Sequence, residues 1–202
     1  MFYYTSDIHF GHNNVIKYNA RPFATAEEMD KEIVRRWNAK VKPSDTVYIV
    51  GDVTLKKDVA GYVERLAGKK ILILGNHDLY VKRERNTAAF ERVVKMEEAF
   101  LDGRRTTLCH FPMLEWPGSR RAENDPSFGY LIYGHIHNNV KELYRPMFGF
   151  SNALNAGMDV NGLEPVTFEE LMENNRVFRK AALEKCRKNG RKKGKKRSVL
   201  PT

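Results

Sequence analysis

Short apolar runs alternate along this chain with stretches in which apolar residues recur every three or four positions. The runs predict buried strands, and the longer spacing predicts helices that pack by one face. "FYYTSD" (2–7), "TVYIVGD" (46–52), "KILILGNHD" (70–78), "YLIYGHIH" (130–137) and "SNALNAGMD" (151–159) read as strands that end in polar residues. "EEAFLDGRRTTLCH" (97–110) reads as a hairpin turning at Asp102-Gly103, a pair suited to positive backbone φ. Met29, Ile33, Trp37 and Val41, with Val34 beside them, mark a helix over 25–41. Thr25 and Glu28 have the spacing of a capping box at its start. Val59, Tyr62, Val63 and Leu66 mark a second helix over 58–68, stopped by Gly68. "TFEELMEN" (167–174) reads as a short closing helix. This order, without internal repeats, predicts a layered α/β or α+β sandwich with helices outside.

Composition changes the picture in one place. The net charge of +10 is not spread evenly. Residues 1–175 carry 23 Lys and Arg against 24 Asp and Glu, whereas residues 176–202 carry 12 against a single acid. We therefore expect a near-neutral domain over 1–175 and a basic tail over 176–202. Val177, Phe178, Ala181, Ala182 and Leu183 would let the tail's first part dock as a helix, with disorder from about Asn189. Such a tail could reach nucleic-acid phosphates, although a lysine-rich end is more often a solvated extension. A chain of 202 residues suits one domain with a real core. Two cysteines make no disulfide framework. The N-terminus lacks a signal-peptide pattern, and no apolar run is long enough for a membrane. The expectation is a soluble cytoplasmic protein; nothing in the sequence assigns an oligomeric state.

The chemistry lies in the polar residues that end the strands. Asp7 and His9 close the first, Asp52 the second, and Asn76, His77 and Asp78 the third. His110 closes the hairpin, and His135 and His137 a later strand. In open α/β sheets, sites form in the crevice beyond such ends. Asp7/His9 and His135/His137 are i, i+2 pairs, which in extended backbone project to one face. A carboxylate can bridge two cations, and Asp52 is placed to do so. Carboxylate with imidazole suits manganese, iron, zinc or nickel rather than calcium or magnesium alone. A lone histidine at a strand end is usually structural, but five of the six histidines fall in this set.

"DIH", "GD", "GNHD", "CH" and "GHIH", in this order, resemble the five signature blocks of the calcineurin-like metallophosphoesterase superfamily. The resemblance runs from Phe2 to about Leu171. "FGHNNVI", "RPF" and "NAGMDVNGLEPVT" look like a small bacterial and phage branch of it. It implies two packed sheets flanked by helices, with a dinuclear metal site on the loops above. Asp7, His9, Asp52 and His137 would hold one divalent ion, and Asp52, Asn76, His110 and His135 the other, with manganese favoured. His77 would act near the leaving group, oriented by Asp78, as a hydroxide held between the metals attacks phosphorus. The implied substrate is a phosphoester. A diester is favoured, because "GDVTLKK" and "GNHD" lack the arginines that the protein-phosphatase blocks carry. A nuclease or a nucleic-acid-binding protein using the basic tail is the alternative. His12, Arg120 and Arg121 are candidate substrate contacts. The Pro- and Gly-containing loop 111–129, which also holds Trp116, has a length often associated with function. Asn155 and Asp159 would fix a turn or brace the site.

Overall fold

The strand runs are continuously apolar because both faces of most strands are buried. In the computed structural model of the protein, which describes residues 1–120, 125 and 128–197 (side chains to 188), eight strands form two four-stranded sheets. The first is parallel, in the order β1 (Phe2–Thr5), β2 (Thr46–Ile49), β3 (Lys69–Ile73), β4 (Arg92–Val94). The second runs β5 (Met96–Leu101), β6 (Arg104–Cys109), β7 (Gly129–Tyr133), β8 (Ala153–Asn155). Its first pair is an antiparallel hairpin, and the other pairs are parallel. Asp102 and Gly103, at φ 48° and 75°, make the expected turn.

Side chains alternate between two cores with the period of a strand. Tyr3, Val47, Ile49 and Leu72 face helices α1 (Asn13–Asn19), α2 (Ala26–Lys40) and α3 (Val59–Val63), where Val15, Ile33, Trp37 and Val63 meet them. Tyr4, Tyr48, Ile73, Leu108, Ile132 and Leu154 fill the space between the sheets. A third core lies on the outer face of the second sheet. There Leu131, Tyr133 and Ala153 pack against Met147 and Phe148 of a 3₁₀ helix (Glu142–Gly149), and against Ala182 and Cys186 of α5 (Phe168–Arg197). Helix α4 is Glu84–Ala88. The result is the expected sandwich of two sheets with helices outside.

Thr25 caps α2 by accepting from the Glu28 amide, and Glu28 accepts in return from the Ala24 amide. Three expectations change. The strands end earlier than their apolar runs, so Asp7, Asp52 and the 75–78 segment lie on the connecting turns. The closing helix does not stop at Asn174. No proline or glycine interrupts the chain from there to Asn189, so α5 continues as one 30-residue helix. Its Phe178, Ala182 and Leu183 pack on the body, whereas Val177 is exposed. The helical backbone runs through Asn189 to Arg197. Among the described residues no helix is long and apolar enough to cross a membrane.

Candidate metal centre

The C-terminal ends of β1, β2 and β3 meet those of β6, β7 and β8 at one end of the sandwich. A parallel bridge from Ser6 to Gly157 and the Met158 amide donating to the Ser6 carbonyl join the two sheets there. Asp7, His9, Asp52, Asn76, His77, His110, His135 and His137 all converge on this place. They reach it by turns rather than by extended backbone. Asp7, His9, Asp52, His135 and His137 have φ between 51° and 72°. That is the left-handed region, costly for residues with a Cβ and concentrated at functional sites. The i, i+2 geometry expected of a strand therefore does not apply. His137 turns toward Asp7, whereas His135 turns toward Asn76.

Two overlapping groups of potential ligand atoms result. Those of Asp7, His9 and His137 lie within 4.8 Å of one another, as do those of Asp7, Asp52 and His110. Asp52 stands between the halves, its Oδ2 3.7 Å from His9 Nε2 and 3.4 Å from His110 Nε2. Asn76 Oδ1 lies 3.1 Å from His110 Nε2 and 2.9 Å from His135 Nδ1. Two glycines permit this packing. A Cβ on Gly51, at φ 89°, would meet the His110 ring and come within 2.8 Å of Gly75. One on Gly75 would come within 2.6 Å of the Asp52 amide.

His9 is only 3% exposed, yet neither of its ring nitrogens has a hydrogen-bond partner. Burial, with His137 nearby, pushes its pKa down to about 3 and keeps it neutral. A buried neutral imidazole with no partner is costly unless something else takes its lone pair. His110 donates from Nδ1 to the Val50 carbonyl at 2.8 Å, directing Nε2 at Asp52. Burial works against its charge, but Asp52 and Asp7 raise its pKa to about 9. Burial likewise works against the Asp52 charge, but His110 and the His77 amide bring it down to about 2. The carboxylates that raise the His110 pKa favour positive charge at this place. Oxygen and imidazole donors, left-handed turns and orphaned nitrogens together fit a bound divalent metal.

Other expected residues take different positions. Asp78 does not hold the His77 ring. Its carboxylate accepts from the backbone amides of Asp52, Val53 and Gly75 at 2.8–2.9 Å, because those turns leave three buried N–H groups unpaired. It fixes the two turns to each other. The His77 ring lies 5.5 Å from the His9 ring, with His12 5.6 Å from His9 on the same side. Arg120 is exposed, and its ion-pair partner is Glu115 rather than a site residue. Arg121 lies outside the described residues. Trp116 belongs to the third core, its indole donating to the Gly129 carbonyl.

Two contributors escaped the sequence reading. Phe111 is half-exposed, with its ring 4.8 Å from that of His135. Arg21, four residues before a capping threonine and easily read as a loop cation, is buried behind the site and pairs with Asp159. Asn155, expected as a brace, donates to the His137 carbonyl and is itself held by Asn175 of α5.

The sequence profile of the calcineurin-like phosphoesterase superfamily domain matches residues 2–157, which include all five blocks. The chain belongs to the calcineurin-like phosphoesterase superfamily. An uncharacterized protein of Methanocaldococcus jannaschii is 32% identical over 184 residues, covering 88% of this chain and 94% of its own. The gene 66 protein of Mycobacterium phage D29 is 30% identical over 164 residues, covering 68% of this chain and 79% of its own. The crystal structure of a protein of unknown function, AQ665 from Aquifex aeolicus, superposes with a TM-score of 0.62 at 27% identity, covering 86% of this chain and 98% of its own. Membership of this superfamily and the Asp/His cluster support a metal-dependent phosphoesterase.

Proposed function

We propose that the protein is a phosphodiesterase that works with two divalent metals. The observation that carries the metal reading is the buried His9 ring with both nitrogens unpartnered between Asp52 and His137. Asp7, His9 and His137 would hold one ion, and Asn76, His110 and His135 the other, with Asp52 serving both. Manganese is the favoured metal, with iron, zinc and nickel fitting the same donors. When bound, the pair supplies charge neutralisation for the phosphate and an activated water.

The chain's own residues do the rest. His77 stands off the ligand groups and meets the leaving oxygen, to which it hands a proton. Its backbone amide, bonded to Asp52 Oδ1 at 2.9 Å, fixes where the ring starts. The preference for a diester rests on charge. A monoester dianion calls for an arginine clamp. Arg21, beside the site, is 5% exposed and turned inward, away from any phosphate. The cytoplasm remains the proposed location.

The test is direct. Chelator-stripped protein should be inactive and should regain hydrolysis with Mn²⁺. Bis(p-nitrophenyl) phosphate should be cleaved faster than p-nitrophenyl phosphate. Full activity in stripped protein would sink the metal reading, and a preference for the monoester would sink the diester reading.

A further inference from the structure

Arg21 carries a full charge and is only 5% exposed. Burying a guanidinium is costly unless every donor is used. Here the donors reach both sides of one half of the site. Nε and Nη2 grip Asp159 at 2.7 Å and 3.1 Å. Nη2 also donates to the Asp7 carbonyl at 2.7 Å, and Nη1 to the Ile8 carbonyl at 2.8 Å. Asp159 in turn accepts from His137 Nδ1 at 2.7 Å.

One guanidinium thus ties together the left-handed turn carrying Asp7 and His9 and the separate turn carrying His137. The second turn reaches it only through Asp159. A carboxylate paired with a guanidinium and 2.7 Å from Nδ1 accepts the hydrogen bond of an Nδ1–H. That leaves Nε2, which faces Asp7 Oδ1 at 3.9 Å, with its lone pair toward the site. Asn19 Nδ2 lies 3.1 Å from the same Nδ1 but is no rival acceptor. Among the described residues the other half has no buried ion pair behind it: His110 Nδ1 is held by a backbone carbonyl, that of Val50.

We infer that Arg21, acting through Asp159, is a positioning residue that presets the Asp7–His9–His137 half of the site for metal and leaves the Asn76–His110–His135 half alone. The inference rests on the two-metal reading above. Its signature is selectivity: damage to Arg21 should cost one metal, not both.

The experiment titrates the chelator-treated full chain with Mn²⁺ by calorimetry, with a melting curve of the metal-free protein alongside. Wild type should show two sites. Arg21→Met should keep one at wild-type affinity and weaken the other by about 10–100-fold, the range for removing an outer partner of a ligand. Arg21→Lys should fall between, because an ammonium cannot span all four acceptors. If Arg21→Met alone does not fold, the double variant Arg21→Met/Asp159→Leu removes both buried charges together, a change that folds often tolerate. A long-range ¹H–¹⁵N spectrum of metal-free protein gives an independent reading. Recorded at a pH where the His137 ring is neutral, it should show the proton on Nδ1 in wild type and loss of that preference in the variant. Two unchanged Mn²⁺ sites, equal weakening of both, or an unchanged tautomer would overturn the inference. A wild-type chain that binds no Mn²⁺ would instead overturn the metal reading. The tautomer measurement on metal-free protein would then decide the Arg21 inference by itself.

Discussion

The two halves of the site are built by different means. The Asp7–His9–His137 half is closed. Its rings stack, His9 on His137 at 5.1 Å between centroids, and a buried ion pair holds it from behind. The Asn76–His110–His135 half is open. Asn76 is exposed, Phe111 stands half-exposed beside His135, and only His110 is fixed deep in the sandwich, by the Val50 carbonyl. Charge presets the first half; backbone and glycine geometry shape the second. Asp52 Oδ2 faces His9 of the first half and His110 of the second, and it separates the strongest prediction from the rest.

Asp52→Asn should have the largest effect. It removes a charge that both halves face, so metal content should fall below one per chain and activity should drop to background. Replacing a residue of one half alone should leave one ion bound. If Asp52→Asn keeps two metals by elemental analysis, the halves do not share it. His77→Ala comes next. The ring touches neither half as a ligand, so metal content should stay at the wild-type value while turnover falls by roughly 10²–10⁴. The loss should shrink with nitrophenolate, a leaving group that needs little protonation. A loss independent of leaving group would move His77 from proton donor to phosphate contact.

Truncation tests what α5 does for the closed half. Cutting after Asn175 removes the packing of Phe178, Ala182 and Cys186, and the Arg179 bonds to the Phe150 and Ser151 carbonyls. Losing burial on this scale should cost about 3 kcal/mol or more, lowering Tm by roughly 6–12 °C for a domain of this size. Cutting after Lys188 removes no buried side chain among the described residues, and Tm should hold. Equal melting of both products would mean that α5 is no part of the body.

These contrasts also show what the sequence could tell. Strands were legible because their apolar residues alternate between two cores and leave almost unbroken runs. The place of the candidate site was legible because His, Asp and Asn gather where those runs stop, in blocks that resemble a family. The backbone of the turns was not: nothing in "DIH" or "GHIH" announces left-handed residues, and extended geometry was the natural expectation. Asp78 was misread because its neighbour is a histidine, while its real partners are amides brought near by the fold. Arg21 was missed because a buried arginine looks like a surface one until Asp159, 138 positions away, is seen to meet it. The closing helix was ended too early because charge density in the tail was weighed more heavily than the absence of proline or glycine between Asn174 and Asn189.

The smallest effect belongs to the rims, where the halves differ in kind. His12 lies beside His9 at the closed half, with its Nδ1 buried and without a partner. Phe111 lies at the open half and offers an aromatic face to whatever sits over His135. A ring stacked on such a face gains about 0.5–1.5 kcal/mol beyond its burial. Phe111→Ala should therefore raise KM for bis(p-nitrophenyl) phosphate by roughly two- to tenfold, with kcat and metal content unchanged. A mixed alkyl aryl diester such as methyl p-nitrophenyl phosphate, which presents one ring instead of two, should feel less of the change. His12→Ala should not reproduce this pattern, because an imidazole beside His9 acts on charge and position rather than on an aryl group. If both variants raise KM for the diaryl and the mixed diester alike, the rims are equivalent, and the contrast between an open aromatic half and a closed polar one stops at the ligands.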